Sequence, residues 1–321
     1  MAANIGAAAN RYICRVKDSK LNPALAWGMF IVLALIWGSS FIIMKRGLQS
    51  FSYAQIGMLR IATAWIFTVL IAFRKFKIWK KVHTGPSAIV GYFGNAIPYI
   101  LFPLAVTRLD SSLVGILNSL VPLFTLIIGL IWFKVRVRWI GITGIILGFT
   151  GALWLLLPGV QVDPSKLGFG FYPIIATVCY ALSINTINSK LTNLDSLSIT
   201  LFSTTMVGPL ALIYVFSTDF IQIMQTDPEA WLNLGYISIL GVVGTSLAVI
   251  LFNYLIKGTS SLFAASVTYA IPLVALLWGV WDGENVGPEH LVGMLLILAG
   301  VYLVNLKGSP ADRIRKRLAR K

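Results

Sequence analysis

Asn118 and Thr125 stand out because they are polar in an otherwise apolar run, and Gly115, Pro122 and Gly129 fall on the same helical face. A later run repeats the pattern with Ala265, Thr268, Pro272, Ala275 and Gly279. An amide and hydroxyls in such a setting do recognition chemistry. They hydrogen-bond a small polar molecule and make or break no covalent bond. A proline frees one backbone carbonyl and permits a bend, which makes Pro122 and Pro272 hinge candidates. One reading of each stripe is a cavity wall with a hinge. The other is close helix packing, which also selects small residues.

A third stripe holds Gly91, Asn95 and Pro98, a further hinge candidate, with Tyr99 beside them. Thr245 occupies the place of Asn95 in a later, similar stretch. Trp37 and Ser40 correspond roughly to Tyr180 and Ser183, and Asn253 and Tyr269 add an amide and a phenol. Together these residues predict an aromatic-lined substrate pocket with few fixed charges. For each of them packing or contact with lipid is the plainer alternative. Arg60 is the only charged residue well inside an apolar run. It fits three roles: attracting a substrate carboxylate, snorkelling to headgroups, or pairing within a bundle.

Bond-making chemistry has little to work with. Cys14 and Cys179 have no metal-ligand spacing, and neither a metal nor a cofactor is expected. Asp282, Glu284, Glu289 and His290 form the one acidic cluster with a histidine, and a solvated turn explains it. No Asp or Glu lies deep in an apolar run, so no carboxylate relay for protons is evident.

The elements that must position these residues follow from composition. Hydrophobic residues make up 57% of the chain and charged residues 12%, about half the soluble norm. Ten apolar runs recur, at about 26–44, 53–73, 87–107, 111–133, 139–157, 169–189, 197–216, 232–256, 261–281 and 289–306. Each has roughly the length a helix needs to cross a bilayer core. Backbone in lipid must satisfy its own hydrogen bonds, so each is expected to be helical. The chain reads as an all-α integral membrane protein with short loops. Before Ala26 there is no apolar core of a cleaved signal peptide, so the first run is expected to stay as an anchor. The formal net charge of +15 does not point to nucleic acid, because the basic residues sit in separate turns rather than on one face. The expected partners are a small-molecule substrate and membrane lipids, and a monomer suffices for this plan.

With ten spans, 21 of the 26 Lys and Arg fall on one side and four on the other, Arg60 being within a span. The positive-inside rule then places both termini in the cytoplasm, with the plasma membrane, a bacterial inner membrane, as the location. Trp132 and Trp139 flank the basic turn Lys134 to Arg138, where interfacial aromatics belong. The basic tail 307–321 is expected against anionic lipid, and residues 1–25 form the other cytoplasmic tail.

Sliding the chain by 150 residues aligns Gly91 with Gly241, Gly94 with Gly244, Phe102 with Phe252 and Pro122 with Pro272. With a one-residue slip, Gly144 and Gly151 align with Gly293 and Gly300. This predicts two five-helix copies, 26–157 and 169–306, joined by an outer linker 158–168. Five is odd, so the second copy must enter the membrane inverted. The turn after the fourth helix agrees: "KVRVR" in the first copy becomes the acidic "DGENVGPEH" in the second. Inverted repeats are a transporter design.

The stretches "LALIWGSSFIIMKRGL" (33–48) and "MLRIATA" (58–64) resemble the first two helices of EamA-type transporters, within the drug/metabolite transporter superfamily. "SSLVGILNSLVPLF" (111–124) and "SLFAASVTYAIPLV" (261–274) resemble that family's fourth and ninth helices. The resemblance implies ten helices, cytoplasmic termini and outward movement of small metabolites, often amino acids. Gly283-Glu284 supplies the family's Gly-Glu pair in the second copy; Lys134 to Arg138 departs from it in the first. The expected function is therefore a secondary transporter exporting amino acids or related compounds by alternating access. A multidrug exporter, a channel and a membrane-embedded enzyme are the alternatives.

Overall fold

The computed structural model describes residues 21–109, 114–115, 117–134, 138–154, 168–281 and 288–305. Residues 1–20, the C-terminal tail, most of the linker, the centre of the "KVRVR" turn and Asp282 to Gly287 lie outside the described residues, as do the side chains of Ala275, Glu289 and His290. The described residues are helical or in turns, with no strand among them.

Six helices are long and apolar enough to cross a membrane: α1 (Pro23–Gly47), α2 (Tyr53–Ile78), α3 (Lys81–Val106), α6 (Gly168–Lys190), α7 (Ser196–Ser217) and α8 (Ala230–Gly258). Shorter apolar helices stand between and after them: α4 (Asn118–Ile131), α5 (Trp139–Trp154), α9 (Ser261–Val274) and α10 (Pro288–Asn305). Their outer faces carry exposed Leu70, Ile131, Ile213 and Leu295. Such a surface is unfavourable in water and suited to lipid. Trp132 and Trp139 are 72% and 82% exposed at the facing ends of α4 and α5.

Local chemistry sets the helix ends. Ser52 caps α2, accepting from the Gln55 backbone N–H, while the Gln55 side chain accepts from the Ser52 N–H. Asp195 caps α7 in the matching way, accepting from the Ser198 N–H at 3.0 Å. Gln55 also donates to Thr218 and Asp219, which ties the start of α2 to the end of α7.

Two pairings hold the bundle. α2 packs along α7, and α5 packs along α10. In the second pair glycine replaces side-chain interdigitation. A Cβ on Gly144 would stand 2.7 Å from the Gly300 carbonyl oxygen, and one on Gly151 would stand 2.8 Å from that of Gly293. The partners run in opposite order, so the two helices are antiparallel and backbone meets backbone.

α3 and α8 each contain a π-helical turn, Tyr92–Ala96 and Val242–Leu247. Such a turn offsets the hydrogen-bond ladder and frequently marks a functional site. Asn95 Nδ2 donates to the Val90 carbonyl at 3.3 Å, and Thr245 Oγ1 donates to the Leu240 carbonyl at 3.2 Å. In each case a polar side chain satisfies a carbonyl five residues back. Asn95 and Thr245 are themselves 150 residues apart.

Candidate functional site

Between the helices lies a cavity of about 100 Å³. Its wall contains Trp37, Ser40, Arg60, Asn95, Tyr99, Asn118, Tyr180, Asn253 and Thr268 from the expected set, together with Ser183. The residues come from α1, α2, α3, α4, α6, α8 and α9, so the wall draws on both ends of the sequence.

Its aromatic part is built from two similar pairs. Phe102 stacks on Tyr180 with centroids 5.8 Å apart, and Phe252 meets Trp37 edge-on at 5.0 Å. Phe102 and Phe252 had a signal in the sequence, because they align at the 150-residue offset. Their role as lining did not. Gly94, Ile184 and Ile187 complete parts of the wall that the polar pattern did not single out.

Arg60 gives the cavity its charge. It is 6% exposed and does not reach outward to headgroups. Its Nε donates to Thr245 Oγ1 at 2.6 Å and its Nη2 donates to the Gly244 carbonyl at 3.3 Å. The guanidinium carbon lies 3.9 Å from the centroid of the Tyr99 ring, in cation–π contact. Gly244 sits inside the π turn of α8, and its carbonyl also accepts from Trp37 Nε1 at 3.0 Å. The Thr245 hydroxyl therefore relays: it accepts from Arg60 and donates to Leu240. Among the described residues no carboxylate makes a salt bridge with Arg60. A guanidinium has five N–H donors. Two are used by these bonds, and the rest remain for what enters the cavity.

Thr245 thus serves the site by holding Arg60, one layer behind the wall. Tyr269 lies apart from the wall. Its ring fills the space over Gly148 of α5, and its hydroxyl donates to the Ile145 carbonyl at 2.9 Å. Pro98 and Pro122 stand at the starts of helical segments after Ala96 and Leu120, and Pro272 lies inside a helix. All three are buried, and none lines the cavity.

The polar wall is incompletely satisfied. The Oδ1 atoms of Asn95, Asn118 and Asn253 are buried and have no hydrogen-bond partner. An aromatic cavity with a guanidinium and several amide groups can bind and orient a small polar molecule.

Residues 25–157 and 170–306 each match the EamA-like transporter family. An uncharacterized transporter of Archaeoglobus fulgidus is 29% identical over 282 residues, covering 86% of this chain and 98% of that relative. A protein of Streptantibioticus cattleyicolor named "Probable terminal-alkyne amino-acid exporter" is 22% identical over 295 residues, covering 89% and 94%. The "S-adenosylmethionine/S-adenosylhomocysteine transporter" of Chlamydia trachomatis is 23% identical over 306 residues, covering 91% and 93%. With a match in both halves that spans most of its length, this chain belongs to the EamA-like transporter family.

Proposed function

We propose that this transporter exports small metabolites, amino acids or closely related compounds, across the plasma membrane by alternating access. In this reading α1 to α10 all cross the membrane as two inverted five-helix repeats, 26–157 and 169–306. Both termini lie in the cytoplasm. The observation that carries the reading is the composition of the cavity wall. Phe102 with Tyr180 and Trp37 with Phe252 are like pairs, each joining one residue from either half, and Arg60 supplies one buried positive charge. Such a central site between related halves suits a carrier that opens to each side in turn. The antiparallel glycine contact of α5 and α10 supports inversion, and the Lys/Arg asymmetry supports the orientation. The names of the Streptantibioticus and Chlamydia relatives support cargo built on an amino acid. No Asp or Glu lies deep in an apolar run, which favours facilitated export down a gradient.

A multidrug exporter is the second reading, favoured by the aromatic rings of the wall. The uncompensated charge of Arg60 works against lipophilic cations. The test is flux in proteoliposomes. Saturable, counterflow-competent efflux of labelled amino acids is expected, with steady-state accumulation insensitive to an imposed pH gradient. Extrusion of lipophilic dyes without flux of any amino acid would decide for the second reading. Accumulation that follows the pH gradient would overturn facilitated export.

A further inference from the structure

Asn95, Asn118 and Asn253 are 2%, 5% and 0% exposed, and all three line the cavity that Arg60 lines. Their Oδ1 atoms have no partner. A buried acceptor left unpaired is costly, so each calls for a donor from inside the cavity.

Two of these oxygens are fixed as acceptors by what their amide nitrogens do. Asn95 Nδ2 faces the Val90 carbonyl, which can only accept. Asn253 Nδ2 donates to Thr200 Oγ1 at 3.0 Å, and the Thr200 hydroxyl hydrogen is committed to the Ser196 carbonyl at 3.0 Å. Turning over the Asn95 amide would set oxygen against oxygen, and turning over that of Asn253 would break the Thr200 bond to Ser196. The cavity therefore presents spare N–H donors from Arg60 and spare amide oxygens from the asparagines.

We propose that this cavity receives the zwitterionic head of a free amino acid. The carboxylate lies against Arg60, and the ammonium lies against the amide oxygens of Asn95 and Asn118. The proposal rests on the transport reading and names its substrate class. An ammonium has three donors and no acceptor. Amide oxygens satisfy it without placing a second charge in the protein, and the bound carboxylate offsets the guanidinium. Asn95 precedes by one helical turn, about 6 Å, the Tyr99 ring that supports Arg60. Asn253 lies eight residues past Thr245 on α8, about 12 Å along the axis, and so serves a donor on the substrate side chain. Phe102 and Phe252 give that side chain apolar contact.

Calorimetric titration of the purified full-length protein tests this with L-leucine, 4-methylpentanoate (no amine) and L-leucinamide (no carboxylate), and with the corresponding phenylalanine set. The amino acid is expected to bind at least about tenfold tighter than either analogue, a factor that corresponds to one lost ionic contact. Asn95→Ala and Asn118→Ala should weaken the amino acid by a similar factor and leave 4-methylpentanoate within twofold. Arg60→Gln should weaken both acids. Asn118→Asp, close in shape with an added negative charge, should tighten leucinamide. Replacing sodium by choline should change nothing. Equal loss for amino acid and deamino acid in the asparagine variants would overturn the proposal, as would an unchanged leucinamide affinity in Asn118→Asp or a requirement for sodium. If no probe binds while proteoliposomes still export another solute, the zwitterion site is wrong and the transport reading stands. Absence of all flux overturns the transport reading as well.

Discussion

The π turns of α3 and α8 share a framework and use it differently. Both begin one residue after a glycine, Gly91 and Gly241, set against backbone of a neighbouring helix: the Ser203 carbonyl for Gly91 and the Arg60 carbonyl for Gly241. Arg60 and Ser203 are themselves matched, each eight residues past the N-cap of its helix, Ser52 or Asp195. In α3 the turn is closed by Asn95, whose amide spends its nitrogen on Val90 and keeps its oxygen for the cavity. In α8 it is closed by Thr245, whose hydroxyl is fully used between Leu240 and Arg60. The scaffold is duplicated, and two exchanges, Arg60 for Ser203 and Asn95 for Thr245, give one side a charge and the other an open acceptor. A symmetric framework thus holds an asymmetric site.

The strongest way to break this comparison is at its unequal pair. Arg60→Gln is expected to lower the specificity constant for amino-acid export about 100-fold, the scale of a lost buried charged contact of about 3 kcal/mol. Ser203→Ala should stay within about twofold, and efflux from preloaded vesicles measures both. A smaller effect comes from making the turns alike. Asn95→Thr keeps a donor to the Val90 carbonyl but removes the free oxygen. Binding of L-leucine by titration should weaken about tenfold while the melting temperature holds. Thr245→Val acts on the other turn. It leaves Arg60 Nε without its acceptor, which should cost about 1–2 kcal/mol of stability, read as a drop of a few degrees in thermal melting in detergent.

The smallest effect lies at the caps. Burial raises the Asp195 carboxyl, but the bonds from Lys75 and Ser198 outweigh it and hold the group below its ordinary value. That stabilisation is present above the unfolded carboxyl pKa of about 4 and is lost as pH falls through the lowered folded value. Asp195 is half-exposed and its pairing with Lys75 is at the surface, so the contribution is under about 1 kcal/mol. Asp195→Ser, copying Ser52, should flatten the acid limb of a stability-against-pH curve and leave neutral stability nearly unchanged.

How far the sequence reveals this arrangement depends on the kind of signal. Apolar runs, cap residues and matched glycines are local or periodic, and they announce the helices and the likeness of the halves. The asparagines were visible because an amide in an apolar run is conspicuous. The π turns were not, because one extra residue in a helical turn leaves no mark on a 3.6-residue pattern. Nor was the partner of Arg60, since Thr245 meets it only after α2 packs on α8. Tyr269 shows the converse. It follows Thr268 in sequence, but one residue turns it about 100° around the helix, away from the cavity and onto the glycine face of α5.

The contact of α5 with α10 also bears on how the chain is made. α5 ends at Trp154 and α10 begins at Pro288, so synthesis adds more than a hundred residues before Gly144 and Gly151 meet their partner. During that interval the glycine face of α5 lacks the backbone that will later lie against it. This backbone-to-backbone contact is therefore among the last to form, and a nascent chain stopped before α10 would leave the glycine face of α5 without its partner. The two halves cannot be closed along this seam until α10 has been made.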